Sequence, residues 1–294
     1  MLTFLGEISM NLFKTFGIIS QKSKRDHVGA YASEAALFII MSFVPFIIML
    51  MTLVKSTPLT EDIVISFINN IAPTAFIAPV NSIVHEMYIK VDPAVVFLAI
   101  FAVLWAAGKG FVSLIEGLNS VFAIKEHRNW IKLRLYAILY TIVFMFIIIL
   151  CVVIYILGYR LHDFFYNHVP FIAKIIGIIL QFRALIVITL LSLLFTFLYV
   201  AIPNRHTKIK RQVPGAIFAA TGWTGFSFFF SLYVKYSSNL SILYGSLTTL
   251  ICVMLWLYVC MYIFLVGAEV NVYVEQLEAE KSSENAIDIT HTHS

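Results

Sequence analysis

The sequence predicts an all-α membrane protein that crosses the bilayer six times and keeps both termini in the cytoplasm. Of the 294 residues, 61% are hydrophobic and only 12% are charged, whereas soluble domains are nearer half apolar and a quarter charged. Residues 247–268 contain no charged side chain and are long enough to cross the hydrocarbon core of a bilayer as one helix. A third observation is that basic residues are concentrated in alternate connections between apolar segments.

Six apolar segments are the candidate membrane spans. The first follows Lys22, Lys24 and Arg25 and carries Pro45 near its middle, where we expect a kink. This segment begins too far into the chain and is too long to be the apolar region of a cleaved signal peptide. The six spans are expected at about 35–54, 94–118, 136–158, 184–202, 213–234 and 247–268.

The segments between and before the spans carry weaker helical patterns. Residues 7–20 have apolar side chains at helical spacing, which predicts a short helix either on the membrane surface or packed on the bundle. Within the long connection after the first span, 61–72 and 79–88 are each expected to form a short amphipathic helix. Residues 171–182 are expected to form an interfacial helix or an extension of the fourth span.

The C-terminal residues differ in composition from the rest of the chain. Residues 276–294 are polar, acidic and short of large apolar side chains, which is typical of a disordered segment. The sequence therefore predicts one membrane domain, residues 1–275, followed by a disordered acidic cytoplasmic tail, residues 276–294.

The distribution of lysine and arginine predicts the orientation. The N-terminal segment, the loop after the second span and the loop after the fourth span are rich in these residues, and the intervening connections are poorer. The positive-inside rule then assigns the basic segments to the cytoplasmic side of the membrane. We expect membrane lipids as partners, with anionic headgroups at these basic loops. No nucleic-acid partner is expected, because the basic loops are short and scattered.

Five polar residues lie within or at the ends of the spans. Lys109 and Glu116 are seven residues apart, on one face of a helix, and Asn119 follows. Glu269 ends the sixth span, and Arg183 precedes the fourth on the outer side. Since a charge in lipid is costly, the first four residues are candidates for lining a cytoplasm-facing cavity that holds an anionic group on Lys109, and Arg183 is a candidate binding residue on the outer side.

Other interpretations of these residues stay open. Lys109 could form a buried pair with a neighbouring carboxylate, or its ammonium could reach the headgroups. Arg183 could bind a lipid phosphate, or it could serve only as an interfacial anchor.

Enzyme and metal signatures are not found in the sequence. It contains no HExxH, GxSxG or phosphate-cradling loop. The three cysteines, Cys151, Cys252 and Cys260, lie in apolar segments and have no ligand-like spacing. We therefore expect no catalytic residue, metal or cofactor.

Several motifs resemble those of the YihY/BrkB family of bacterial inner-membrane proteins, once labelled ribonuclease BN. They are Ala30-Tyr31, Ser42-Phe43-Val44-Pro45, Gly117-Leu118-Asn119, Tyr199 to Pro203, Pro214-Gly215-Ala216, Tyr233, Tyr244-Gly245-Ser246, Trp256, Tyr258 and Leu265-Val266-Gly267-Ala268-Glu269. The sequence departs from the family pattern at Gly117, where alanine is usual, and at Phe122, where tryptophan is common. The resemblance implies a six-helix membrane domain and no settled activity.

Three hypotheses for function follow. The first is a non-enzymatic membrane protein that binds or moves a small solute or an amphipathic lipid. The second is a structural protein that maintains the cell envelope through its partners. The third is a membrane-embedded hydrolase, although no clustered acidic site supports the old ribonuclease label. The substrate, driving ion and oligomeric state are not predicted.

Overall fold

The computed structural model of the chain describes residues 17–55, 60–71, 74–89, 93–146, 183–205, 207–236 and 247–292. These ranges contain nine helices and no strand, which confirms the all-α class for the described part of the chain. The helices are α1 (17–25), α2 (Val28–Lys55), α3 (Glu61–Ile71), α4 (Thr74–Ile89), α5 (Pro93–Val121), α6 (130–146), α7 (Arg183–Ala201), α8 (Ile209–Tyr236) and α9 (Leu247–Thr292).

Four of the helices, α2, α5, α8 and α9, are long and apolar enough to cross a membrane, and α7 is a shorter apolar helix. Helices α2, α5, α8 and α9 coincide with predicted spans one, two, five and six, and α7 coincides with predicted span four. The third predicted span is described only as far as residue 146, in α6, and residues 147–158 lie outside the described residues. Six crossings and the cytoplasmic position of both termini therefore stay predictions.

Large apolar side chains cover the outer surface of these helices. Phe97 of α5 is 76% exposed and Phe229 of α8 is 68% exposed. Surface of this kind is costly in water and is compatible with lipid, because the hydrocarbon core of a bilayer is itself apolar.

The main core lies where α2 packs on α5 and α9, and where α8 packs between α7 and α9. Tyr199 of α7 is fully buried there, and its hydroxyl donates to the carbonyl oxygen of Phe264 at 2.5 Å. The rings of Tyr199 and Phe264 are stacked, with centroids 4.9 Å apart. This bond satisfies a phenol that would otherwise be buried without a partner.

A second, smaller apolar cluster joins α3 and α4 to the C-terminal half of α2. It contains Ile47, Met51, Val64, Val80 and Val84. Polar groups meet on its outer surface, where His85 Nδ1 lies 2.7 Å from Glu61 Oε1. The two short helices predicted from 61–72 and 79–88 are thus present and cover the end of α2.

The last helix extends beyond its apolar part. In the structure α9 continues as a helix to Thr292, and the disorder expected for residues 276–294 stays a prediction. No glycine or proline follows Gly267 within the helix, and residues 275–281 are mostly good helix formers. Ion pairs from Arg205 to Glu275 and from Arg211 to Glu278 also hold the first turns beyond the apolar part.

Small residues let α8 and α9 approach each other closely. A Cβ added at Gly267 would lie 2.7 Å from the Cβ of Ala219 and 2.7 Å from the carbonyl oxygen of Gly215. Real carbon atoms do not approach this closely, so α8 and α9 would have to separate.

We therefore expect Gly267→Ala to lower the free energy of unfolding by about 1–3 kcal/mol or more. The measurement is thermal unfolding of the purified protein in detergent. Gly225→Ala in α8 is the matched control, because nothing lies within 4 Å of its added Cβ. In the control, replacing a helical glycine by alanine should raise the free energy of unfolding slightly. Equal melting temperatures for the two variants would contradict the packing described here.

Candidate functional site

One end of the bundle gathers most of the charged residues of the described chain. We call it the basic end and define it by residues 17–27, 119–134, 202–212 and 269–278. Lys22 Nζ donates to the carbonyl oxygen of Val121 at 2.8 Å and also bonds the carboxylate of Glu269. These contacts tie α1, the end of α5 and α9 together.

Glu269, a predicted site residue, is fully buried in an ion pair with Lys22. The ammonium of Lys22 also pairs with Asp26 at 2.6 Å, so it serves two carboxylates. Burial raises the pKa of Asp26, but hydrogen bonds and charges from Lys22 and Arg25 outweigh it and leave that pKa below its usual value. Oε1 of Glu269 has no hydrogen-bond partner among the described residues. Glu269 thus anchors α1 to α9 through Lys22.

Asn119, the second predicted site residue, is 3% exposed and joins two connections. Its Nδ2 donates to Glu126 at 2.6 Å, and its Oδ1 accepts from the backbone N–H of Asn204 at 3.3 Å. Arg128 donates three further hydrogen bonds to Glu126, at 2.7–2.9 Å. The hydrogen bonds from Arg128, opposed by burial and aided by Asn119, lower the pKa of Glu126 from its usual 4.5 to about 2.

A third network holds the start of α8 against α9. The guanidinium of Arg205 donates to both carboxylate oxygens of Glu275 at 3.0 and 3.1 Å, and it lies 3.8 Å from the centre of the Phe122 ring. Asn271 Oδ1 accepts from the N–H of Gly215 at 2.6 Å, and its Nδ2 donates to Gln212. The side chain of Asn271 thereby satisfies a backbone donor in the first turns of α8.

Sequence reasoning did not single out Lys22, Arg205, Gln212 or Asn271. Lys22 and Arg205 were counted only as basic residues that set topology. Gln212 and Asn271 could have been noticed as uncharged polar residues at the ends of apolar spans. Their contacts with other helices join residues that are 56 or more positions apart in sequence, which is why no local pattern identifies the pairs.

Lys109 and Glu116 lie apart from these networks. Lys109 is exposed, and its Nζ lies 5.4 Å from the centroid of the Phe38 ring. Glu116 is half-buried and feels the charges of Lys109, Glu34 and Glu126. Within the described ranges, neither Lys109 nor Glu116 has an ion-pair partner within 4.0 Å.

These two residues lie between α2 and α6 on the surface of α5. A Cβ at Gly110 would face α2, and a Cβ at Gly108 would face Ile138 and Arg134 of α6. Because an α-helix has 3.6 residues per turn, Lys109 lies on the face of α5 between the face that contacts α6 and the face that contacts α2. We call this surface the α5 groove and define it by Phe38, Trp105, Lys109, Glu116 and Arg134.

Aromatic and cationic groups meet in the α5 groove. The rings of Phe38 and Trp105 are edge to face, with centroids 6.2 Å apart. Arg134 Nη2 donates to the carbonyl oxygen of Trp105 at 2.8 Å. A guanidinium has further N–H donors, so Arg134 can bind a second group beside Lys109.

Arg183, the last predicted site residue, is not brought together with the other four. It is the first residue of α7, and the C-terminus of that helix reaches the basic end. At 1.5 Å per residue, Arg183 is about 27 Å from the basic end along the helix axis. Its side chain is outside the described part of the structure. No group of three metal-ligating side chains was found among the described residues.

The first prediction from this geometry concerns Lys22. Lys22→Ala would leave Glu269 buried without a countercharge, and breaking a buried pair typically costs about 3–5 kcal/mol. We expect a large fall in the melting temperature in detergent. Arg25→Ala is the control, since the Arg25 side chain is 74% exposed and exposed pairs contribute about 0–1 kcal/mol. A melting temperature equal to that of the control would exclude a stabilising role for the pair.

The second prediction concerns pH. Because the folded-state pKa of Glu126 is lowered, its contribution is present above pH 4.5 and is lost as the pH falls towards 2. We expect Glu126→Gln to be less stable than the wild type at pH 6, by on the order of 2–3 kcal/mol. The difference should disappear near pH 2. Glu86→Gln, at an exposed position of α4, is the control. A difference that stays constant across this pH range would contradict the assignment.

Comparison with known proteins identifies the family. The family described as "Virulence factor BrkB" matches residues 19–288. The chain is 30% identical over 240 residues to the ribonuclease-like protein YfkH of Bacillus subtilis, which covers 82% of this chain and 87% of that protein. It is 24% identical over 289 residues to a UPF0761 membrane protein of Alteromonas mediterranea, covering 97% of this chain and 95% of the relative. No solved structure matches. The chain therefore belongs to the BrkB virulence-factor family and is a multi-pass membrane protein.

Proposed function

We propose that this protein binds an amphipathic lipid in the α5 groove and, from this cytoplasm-facing site, moves it between the leaflets of the membrane, without acting as an enzyme. The observation that supports the proposal most directly is the state of Lys109. It is an exposed cation on a membrane-spanning helix, and it has no carboxylate partner within the described residues.

The depth of Lys109 makes this state costly without a ligand. Helix α5 has 29 residues, or about 43 Å of rise, against a hydrocarbon core of about 30 Å. Lys109 follows Pro93, at the end of α5 opposite the basic end, by sixteen residues, which is about 24 Å of a core about 30 Å thick. The positive-inside rule predicts that the basic end faces the cytoplasm. Lys109 is therefore expected in the inner half of the bilayer.

The contact with Phe38 compensates only part of the cost of this charge. A cation over an aromatic ring contributes about 0.5–2 kcal/mol, whereas a lysine at the centre of a membrane helix costs at least about 2.5–3.5 kcal/mol. An anionic ligand would supply the remainder. Because Lys109 and Arg134 border the same groove, a phosphate could accept from both.

The surface next to the α5 groove suits the rest of a lipid. Leu98 and Phe101 of α5 are exposed, and acyl chains can lie along them. Glu116 and Glu34 lie on the side nearer the basic end, where they could pair with a cationic part of the headgroup. This combination of a phosphate site, carboxylates and an apolar surface favours a zwitterionic amphiphile over a small inorganic ion.

A second candidate function is structural, as an envelope-maintenance protein that works through partners. The paired networks of the basic end favour it, since the charges there are used to hold α1, α5, α8 and α9 together. It predicts that Lys109 serves only as an anchor whose ammonium reaches towards the headgroups.

Reconstitution separates the two candidates. Full-length protein in liposomes would be assayed for movement of a fluorescent phospholipid between leaflets, and in nanodiscs for lipid retention by native mass spectrometry. Lys109→Ala should reduce both signals about tenfold, as expected for loss of roughly 1.4 kcal/mol of binding. Glu116→Gln should change the preference among headgroups.

The matched control is Lys235→Ala. Lys235 of α8 is also an exposed cation next to an aromatic ring, with its Nζ 5.9 Å from the centre of the Tyr236 ring. It lies far from the α5 groove along the chain and at the other end of α8 from Gln212. Equal lipid retention and flux in Lys109→Ala and Lys235→Ala would reject the proposal and leave the structural role.

A further inference from the structure

A pocket of about 270 Å³ lies at the basic end, between α1, the start of α2 and α9. It is separate from the α5 groove, because none of the residues that define the groove borders it. Its lining residues are Ser23, Lys24, His27, Gly29, Ala30 and Tyr262.

The charged groups of this pocket are all basic. Lys24 and His27 are exposed and have no ion-pair partner in the described part of the chain. The basic residues next to them in sequence do form ion pairs. Lys22 is paired with Asp26 and Glu269, and Arg25 is paired with Asp26. No carboxylate lines the pocket. The pocket is therefore complementary in charge to an anion.

Hydroxyl groups form the inner wall of the pocket. Ser23 is 2% exposed, and its Oγ lies 3.1 Å from the hydroxyl oxygen of Tyr262. One of the two hydroxyls donates to the other, which leaves one O–H free to donate to a ligand.

The backbone between α1 and α2 brings the two basic side chains to one pocket. His27 has a φ of 55°, a left-handed conformation that few residues other than glycine adopt. Its N–H donates to the carbonyl oxygen of Lys24 at 3.3 Å. This turn lets α2 begin at Val28 directly after α1, with Lys24 and His27 both at the mouth of the pocket.

We propose that this pocket binds a phosphate group, held by Lys24, His27 and a hydroxyl of the Ser23–Tyr262 pair. Ammonium, imidazole N–H and hydroxyl donors are groups that phosphate oxygens accept from. A volume of 270 Å³ corresponds to several water molecules at about 30 Å³ each. It accommodates a phosphoryl headgroup or a free phosphate, and it is too small for acyl chains.

Chemical modification tests the pocket in the unaltered protein. Full-length protein in a neutral detergent would be treated with diethylpyrocarbonate, with and without inorganic phosphate, and the histidines quantified by mass spectrometry. His127 is the internal control, because it is also exposed at the basic end. Phosphate should protect His27 severalfold and leave His127 unchanged. The proposal would be overturned if neither inorganic phosphate nor phosphatidic acid lowered the modification of His27 relative to that of His127.

Lipid and free phosphate are distinguished by a second arm. The same protein in nanodiscs of neutral lipid, with or without phosphatidic acid, would be labelled in the absence of free phosphate. Protection of His27 only with phosphatidic acid identifies a lipid headgroup as the source, and protection by inorganic phosphate identifies a free ligand. Either result supports the site.

A variant pair tests the residues. The double variant Lys24→Gln, His27→Asn should weaken binding of phosphate, measured by titration calorimetry, by about tenfold or more, as expected for loss of charge-assisted hydrogen bonds. Lys210→Gln removes a charge at another exposed position of the basic end and should change binding less than twofold. A double variant that unfolds is replaced by the single variant Lys24→Gln, whose loss of the ammonium should also weaken binding. Equal affinities in variant and control would reject the assignment.

Discussion

The ion pair between Lys22 and Glu269 is the contact on which the arrangement of the basic end depends. A carboxylate with no exposure to solvent needs a countercharge nearby, and Lys22 provides it while also bonding Asp26 and the carbonyl oxygen of Val121. One ammonium thus determines how α1, the C-terminus of α5 and α9 meet. The pocket beside Lys24 exists because α1 is held against α9 in this position.

The charges of the described chain fall into two groups with different consequences. The paired charges of the basic end, such as Glu126 with Arg128 and Arg205 with Glu275, form the first group. Each of these charges already interacts with a partner that holds two connections together, so a ligand would gain little free energy by binding to it. Lys109, on the exposed surface of α5, has an aromatic neighbour and no carboxylate partner among the described residues. An unpaired intramembrane cation is where a ligand can gain most from binding.

Membership of the BrkB family restricts the fold more than the activity. One relative is named as ribonuclease-like and others only as UPF0761 membrane proteins, and a shared fold does not by itself define a reaction. The argument for function therefore depends on local chemistry. Two surfaces offer phosphate-compatible donors: the α5 groove within the membrane region and the Lys24–His27 pocket at the basic end. They would take ligands independently.

The membrane class, the helical segments at 35–54, 94–118, 184–202, 213–234 and 247–268, and the family were all determined by the sequence alone. Each depends on composition, local periodicity or motif order, which do not require knowledge of distant contacts. Only the tertiary structure decided the roles of the polar residues. It assigned Glu269 and Asn119 to buried networks and Lys109 and Glu116 to an exposed groove, and it continued α9 as a helix to Thr292. Lys22 is 247 residues from Glu269, and Asn204 is 85 residues from Asn119, and a linear pattern carries no information about pairings at that separation.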